Sequence, residues 1–311
     1  MSHDHSHGHS HGHSHGHAPP GDFGVAFAVG TGLNIAFVLI EVAYGLRAHS
    51  LSLVADAGHN LGDVLGLVLA WLAVVLARRL PTKHKTYGLR KSSILAALAN
   101  AVLLLVTVGA IAFGAVNRLV HPEPVQGQTV IWVAAAGILI NGITALLFLS
   151  GRKQDLNLNA AFAHFAADAV LSGGVVVAGI AILFTGWLWI DPVVSLVLAG
   201  SIVVGTWRLL TESINLAMDA VPGAVDPHAV EDYLHSLDGV TEVHDLHIWG
   251  MSTTEVALTA HVVIPEVGDH DALLLMTCKE LHDRFGIEHA TIQLEHSLGA
   301  AECGRAAAGV V

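Results

Sequence analysis

The sequence predicts an α-helical membrane protein of six transmembrane helices with a small cytoplasmic α+β domain, ordered α-β-β-α-β and ferredoxin-like. Three observations carry this reading. Apolar residues make up 53% and charged residues only 13%, with a mean hydropathy of +0.61, against about 25% charged in soluble domains. Six apolar stretches reach the ~20 residues that a bilayer core requires, at 24–46, 52–77, 92–117, 129–150, 158–184 and 188–217. From about residue 220 the composition turns polar and takes on the pattern of a soluble fold.

The N-terminus precedes the spans with eight His among its first seventeen residues, alternating with Ser, Gly and Asp. Such a tract is low in complexity and disordered, suited to loose metal capture. It lacks the basic start and short apolar core of a signal peptide. Lys and Arg orient the spans. Arg78, Arg79, Lys83, Lys85, Arg90 and Lys91 lie between spans 2 and 3, and Arg152 and Lys153 between spans 4 and 5. The opposite loops hold only Arg47 and Arg118, so the positive-inside rule puts both termini in the cytoplasm. The net charge of −12 argues against nucleic acid as a partner and favours cations. Cys278 and Cys303 are too few for a disulfide framework and fit a reducing compartment.

After Pro222, Asp226-Pro227 caps a short helix through Leu237. Strands follow at Val240–Trp249 and Thr254–Ile264, then an amphipathic helix at His270–Phe285 and a strand at Ala290–Glu295. This order gives a two-layer domain with both helices on one sheet face.

The chemistry lies in a spacing that occurs twice. His59 and Asp63 stand four residues apart in span 2, and His164 and Asp168 repeat the spacing in span 5. Each pair projects from one helix face. Span 2 enters from outside near Leu51 and span 5 from inside near Leu156, so Asp63 and Asp168 both lie about 18 Å along their helices. Ionisable groups at that depth mark an ion pathway, and two imidazoles with two carboxylates suit a tetrahedral zinc-like ion. The bland alternative, interhelical hydrogen bonding, explains one such pair better than two at matched depth. Asp56, three residues before His59, reads as an orienting partner for an imidazole or part of the ion path rather than a ligand. Glu41 is the most demanding remaining group, since an unpaired carboxylate in lipid is disfavoured. Asn34, Asn60, Asn100 and Asn141 read as interhelical hydrogen-bonding residues. In the tail, His244 and His261 fall on neighbouring strands, with His289 and Glu295 flanking the last strand. Solvated strand-end histidines and a second metal site both remain open readings.

Six spans, the His-rich start, the run Ser52-Leu53-Val54-Ala55-Asp56-Ala57-Gly58-His59-Asn60-Leu61-Gly62-Asp63, His164 with Asp168, His244-Asp245-Leu246-His247-Ile248-Trp249 and Thr291-Ile292-Gln293-Leu294-Glu295 together resemble the cation diffusion facilitators, from about 24 to 297. The resemblance implies a transporter, not an enzyme. It implies export of zinc or a related divalent ion from the cytoplasm in exchange for protons, by a homodimer in a bacterial-type inner membrane. It matches His59, Asp63, His164 and Asp168 to the transport site. It matches His244, His261, His289 and Glu295 to positions that bind metal in some members, with zinc there a regulatory ligand. It divides the chain into a His-rich tract (1–21), a membrane domain (22–219), a metal-binding and dimerisation domain (220–297) and a flexible tail (298–311). Some bacterial members also bind metal between spans 2 and 3; here only His84 offers a donor, among cations, and no such site is expected. A membrane metalloenzyme would call for a motif such as HExxH, which is absent. A membrane metal sensor would need an output domain after Glu295.

Overall fold

The computed structural model describes residues 23–149, 156–266, 268 and 271–296. The expected disordered tract, the flexible tail, Arg152, Lys153 and His270 lie outside the described residues.

Six long helices form the bundle: α1 (Phe23–Arg47), α2 (Leu51–Ala77), α3 (Ser92–Val120), α4 (Gly127–Phe148), α5 (Leu156–Thr185) and α6 (Ile190–Ala217). Each expected span lies within a residue or a few of its helix. Among the described residues five have the length and composition to cross a membrane, and α1, at 25 residues, is as long as a span requires. The bundle is apolar on both sides of each helix. Phe37, Leu53, Ile111, Val130, Val175 and Leu198 close its interior, while Trp71, Phe113, Trp132 and Phe184 stay exposed on its flanks. In an integral membrane protein those flanks face lipid.

The helix ends follow local chemistry. Ser50 caps α2 by accepting from the Leu53 N–H. On α2, Gly62 has no substitute without movement, because a Cβ there would stand 2.0 Å from Cδ2 of Leu104 on α3. That close approach fixes the rotation of the helix carrying His59 and Asp63.

The soluble domain holds α7 (Pro227–His235), β1 (Glu242–Gly250), β2 (Val256–Val263), α8 (Asp271–Phe285) and β3 (Ile287–Glu295), in the expected α-β-β-α-β order. Asp226 caps α7 through the N–H groups of His228 and Ala229, with Pro227 at the first turn. The sheet order is β1-β2-β3, the first pair antiparallel and the second parallel. Val230 and Leu234 of α7 and Leu281 of α8 share one core with Val243, Leu258, Val262 and Ile287, so both helices cover one face. Gly286, at φ 67°, ends α8 in the left-handed conformation that glycine adopts freely. β3 therefore begins at once and is three residues longer at its start than the sequence suggests.

Candidate metal centre

The two helices bring His59, Asp63 and Asp168 together, with one ligand atom of each within 4.8 Å of the others, and set His164 beside the two carboxylates. The Nε2 of His59 lies 3.8 Å from Oδ2 of Asp63 and 3.5 Å from Oδ1 of Asp168. The Nε2 of His164 lies 3.5 Å from Oδ2 of Asp63 and 3.5 Å from Oδ2 of Asp168. The imidazoles meet edge to face, 6.3 Å between ring centres. A tetrahedral ion with bonds near 2.1 Å has ligand atoms about 3.4 Å apart. The separations around His59, 3.8 and 3.5 Å, approach that edge length, so His59, Asp63 and Asp168 suit such an ion, while His164 meets Asp168 through its other oxygen and stands beside the group. Among the described residues, Nδ1 of His59 and Oδ2 of Asp63 are buried without a hydrogen-bond partner.

The site has an open side. Side-chain exposure is 4% for Asp168, 23% for His59, 33% for Asp63 and 41% for His164. Exposure rises toward the end of α2 and the start of α5. That is the end of the bundle that meets the soluble domain. There Arg90 pairs with Glu255 at 3.0 Å, Lys91 with Asp219 at 2.6 Å, and the Thr253 N–H donates to Ser93 Oγ at 3.1 Å.

The opposite end is closed by a group the sequence reading missed. Asp191, fully buried at the start of α6, accepts from Ser50 Oγ at 2.6 Å, the Leu51 N–H at 2.7 Å and Ser52 Oγ at 2.7 Å. Arg118 of α3 stands 3.5 Å from its other side and also donates to the His49 carbonyl. One carboxylate thus ties the ends of three helices. Its signal was present as an Asp before Pro192 at a helix start, inside a stretch read only as apolar.

Asp56 does not orient an imidazole. It accepts from Ser172 Oγ at 3.0 Å, and Nδ1 of His59 makes no hydrogen bond to it.

In the soluble domain, His244 and His261 face each other across β1 and β2, and Glu295 reaches both, 3.3 Å from His244 Nε2 and 2.7 Å from His261 Nδ1. A bulge between His244 and His247 leaves Asp245 at φ 53°. Asp245 then pairs with His261 Nε2 at 3.5 Å and His247 Nε2 at 3.1 Å. The expected grouping of His289 with these residues is corrected. His289 lies opposite Ala257, six residues or about 20 Å of strand from Glu295. Its ring stands edge-on to Tyr87, 5.7 Å between ring centres.

A six-helix apolar bundle enclosing two imidazoles and two carboxylates, with a small α+β domain on the open end, defines an integral membrane protein with an ion-sized polar centre. The chain belongs to the cation efflux, or cation diffusion facilitator, family. The family's transmembrane domain matches residues 27–216, and its cytoplasmic domain matches 222–297. The chain is 36% identical to the zinc transporter ZitB of Escherichia coli, over 85% of each. It is 35% identical to the metal cation efflux system protein CzcD of Cupriavidus metallidurans, over 94% of this chain and 89% of that one. It is 33% identical to a cadmium, cobalt and zinc/H(+)-K(+) antiporter of Bacillus velezensis, over 87% of each. The solved metal-bound C-terminal domain of CzcD is 38% identical over 23% of this chain, with a TM-score of 0.22. The family consists of transporters, and the expectation that this chain is no enzyme follows from membership.

Proposed function

We propose that this transporter exports divalent cations, zinc foremost, from the cytoplasm in exchange for protons, through His59, Asp63, His164 and Asp168. The observation that carries the reading is the grouping of His59, Asp63 and Asp168 within 4.8 Å at mid-depth in the bundle, with His164 at 3.5 Å from both carboxylates. Nitrogen and carboxylate donors in equal number suit zinc and its neighbours better than magnesium or calcium, which prefer oxygen. The names of the relatives point the same way, to zinc, cadmium and cobalt, and to antiport. A ligand imidazole must be neutral, so protons and metal compete for the same atoms. Acid on the far side unloads the cation, and deprotonation on the cytoplasmic side restores affinity. Both termini and the open mouth of the site face the cytoplasm of a bacterial-type inner membrane. Residues 220–297 act as a metal-responsive dimerisation domain, with His244, His261 and Glu295 as its ligands. The His-rich tract 1–21 gathers cations loosely beside the mouth.

The test is flux in proteoliposomes of the purified chain, with zinc, cadmium, cobalt, nickel and manganese compared with and without a pH gradient. Zinc uptake accelerated by an opposing proton gradient is the expected result. Absence of flux for every divalent cation would overturn the reading.

A further inference from the structure

Glu41 of α1 and Asp56 of α2 are almost wholly withdrawn from solvent, at 0% and 2% exposure. They are neighbours, close enough for the charge of each to act on the other. Asn60 Nδ2 donates to Oε2 of Glu41 at 3.4 Å, and Ser172 Oγ to Asp56. The remaining Glu41 oxygen, Oε1, receives no donor among the described residues. The titratable groups that face this pair are His59 of α2 and Asp168 of α5. Helix α4, which packs on α1, carries no charged side chain. Two neighbouring ionised carboxylates, away from water and without a cation, repel each other too strongly to persist. Two carboxyls so buried, one with an oxygen that no donor meets among the described residues, call for a proton on the pair.

Position gives the pair a task. Asp56 precedes His59 by three residues, about 4.5 Å along α2, toward Leu51 and the end closed by Asp191. The metal centre opens the other way. The pair therefore sits between the metal centre and the sealed end, where it meets protons that enter after release of the cation.

We infer that Glu41 and Asp56 form a proton-carrying station beside the metal centre, which holds a proton while the centre is empty and yields it when a divalent cation arrives. The cation adds two positive charges a helical turn away and weakens the hold on the proton. The proton leaves through the open mouth of the site to water on the cytoplasmic side. After the cation departs and the far end opens, water there returns a proton to the pair. The inference rests on the antiport reading above and adds a proton to it beyond those lost by the imidazoles.

The experiment measures zinc and proton fluxes together in proteoliposomes of the full chain, for wild type, Glu41→Gln and Asp56→Asn. The protons moved per zinc should fall by about one in either variant, because an amide carries no exchangeable acid proton. Zinc binding to the purified variants should persist, the dependence of uptake on pH should flatten, and Glu41→Asp should restore the wild-type ratio. An unchanged ratio in both variants overturns the inference and leaves antiport standing. Loss of zinc binding in both overturns it too, by making the pair part of the cation cage. Zinc movement without protons in the wild type overturns the antiport reading itself. If Glu41→Gln fails to fold, Asp56→Asn decides by the same measurement.

Discussion

Asp63 and Asp168 each follow a histidine by four residues, yet they are not equivalent. Asp168 turns one oxygen to each imidazole and is nearly buried, whereas Asp63 meets both imidazoles through a single oxygen and is a third exposed. Replacing either with Ala removes one of the four proposed donors. Metal affinity should fall by more than the roughly 10–100-fold that changes around a ligand cost, with flux lost and the protein still folded. Calorimetric binding and vesicle uptake check this, and wild-type rates in both variants would defeat the assignment. The rank of the two should differ, with Asp168→Ala the more severe because its nearly buried carboxylate gives each histidine an oxygen of its own. A second expectation concerns selectivity. His59→Asp exchanges nitrogen for a harder oxygen donor, so zinc should lose ground to manganese in competition assays; an unchanged ranking would remove His59 from the cage. The spacing of these four residues was legible because helical period maps sequence onto a face. The unequal roles of the two Asp residues were not, since they depend on side-chain rotation and on how α2 meets α5.

Among the elements, α6 is held at its start by a buried charge rather than by packing alone. Asp191 satisfies two hydroxyls and two backbone N–H groups, and faces Arg118. Asp191→Ala would leave the guanidinium and the start of α2 without their acceptor. Breaking a buried charged network from one side costs on the order of 3–5 kcal/mol, whereas Ser50→Ala, which removes a cap, should cost about 0.5–2 kcal/mol. Thermal unfolding in detergent should rank them in that order. Equal, small shifts would mean that the far end of the bundle does not depend on this carboxylate. The helices themselves were readable from apolar length. This tie was not, because its members come from α2, α3 and α6, and only assembly brings them together. The strands show a related limit. His244 and His261 could be paired from alternation, but the placement of His289 depends on where β3 begins, which Gly286 sets and hydropathy does not reveal.

At the scale of the whole molecule, the metal centre and the soluble domain are joined through the loop that leaves α2. Arg90, Lys91 and Ser93 hold Glu255, Asp219 and the Thr253 backbone, so a change of shape in the soluble domain bears directly on the helices that flank the centre. The His244, His261 and Glu295 cluster is where such a change would start. Its donors come from three strands, and only the folded sheet unites them. Zinc held there should stabilise the isolated domain, residues 220–297, which has its own core. Linkage gives about 2.7 kcal/mol at a hundredfold excess over the dissociation constant. For a domain of this size each kcal/mol raises the melting temperature by roughly 4–8 °C, so a shift of more than about 10 °C is expected near neutral pH. Free imidazoles titrate near pH 6.5, and protons displace metal from them. The zinc-induced shift should therefore be full above that pH and shrink below about 6. His261→Ala removes a ring that touches both Glu295 and Asp245 and should abolish most of the shift without unfolding the apo domain, whereas His289→Ala, apart from the cluster, should leave it intact. A melting curve unmoved by zinc at neutral pH would reduce the domain to an assembly surface. A shift lost equally in His289→Ala would mean that assembly in solution brings this histidine to the cluster.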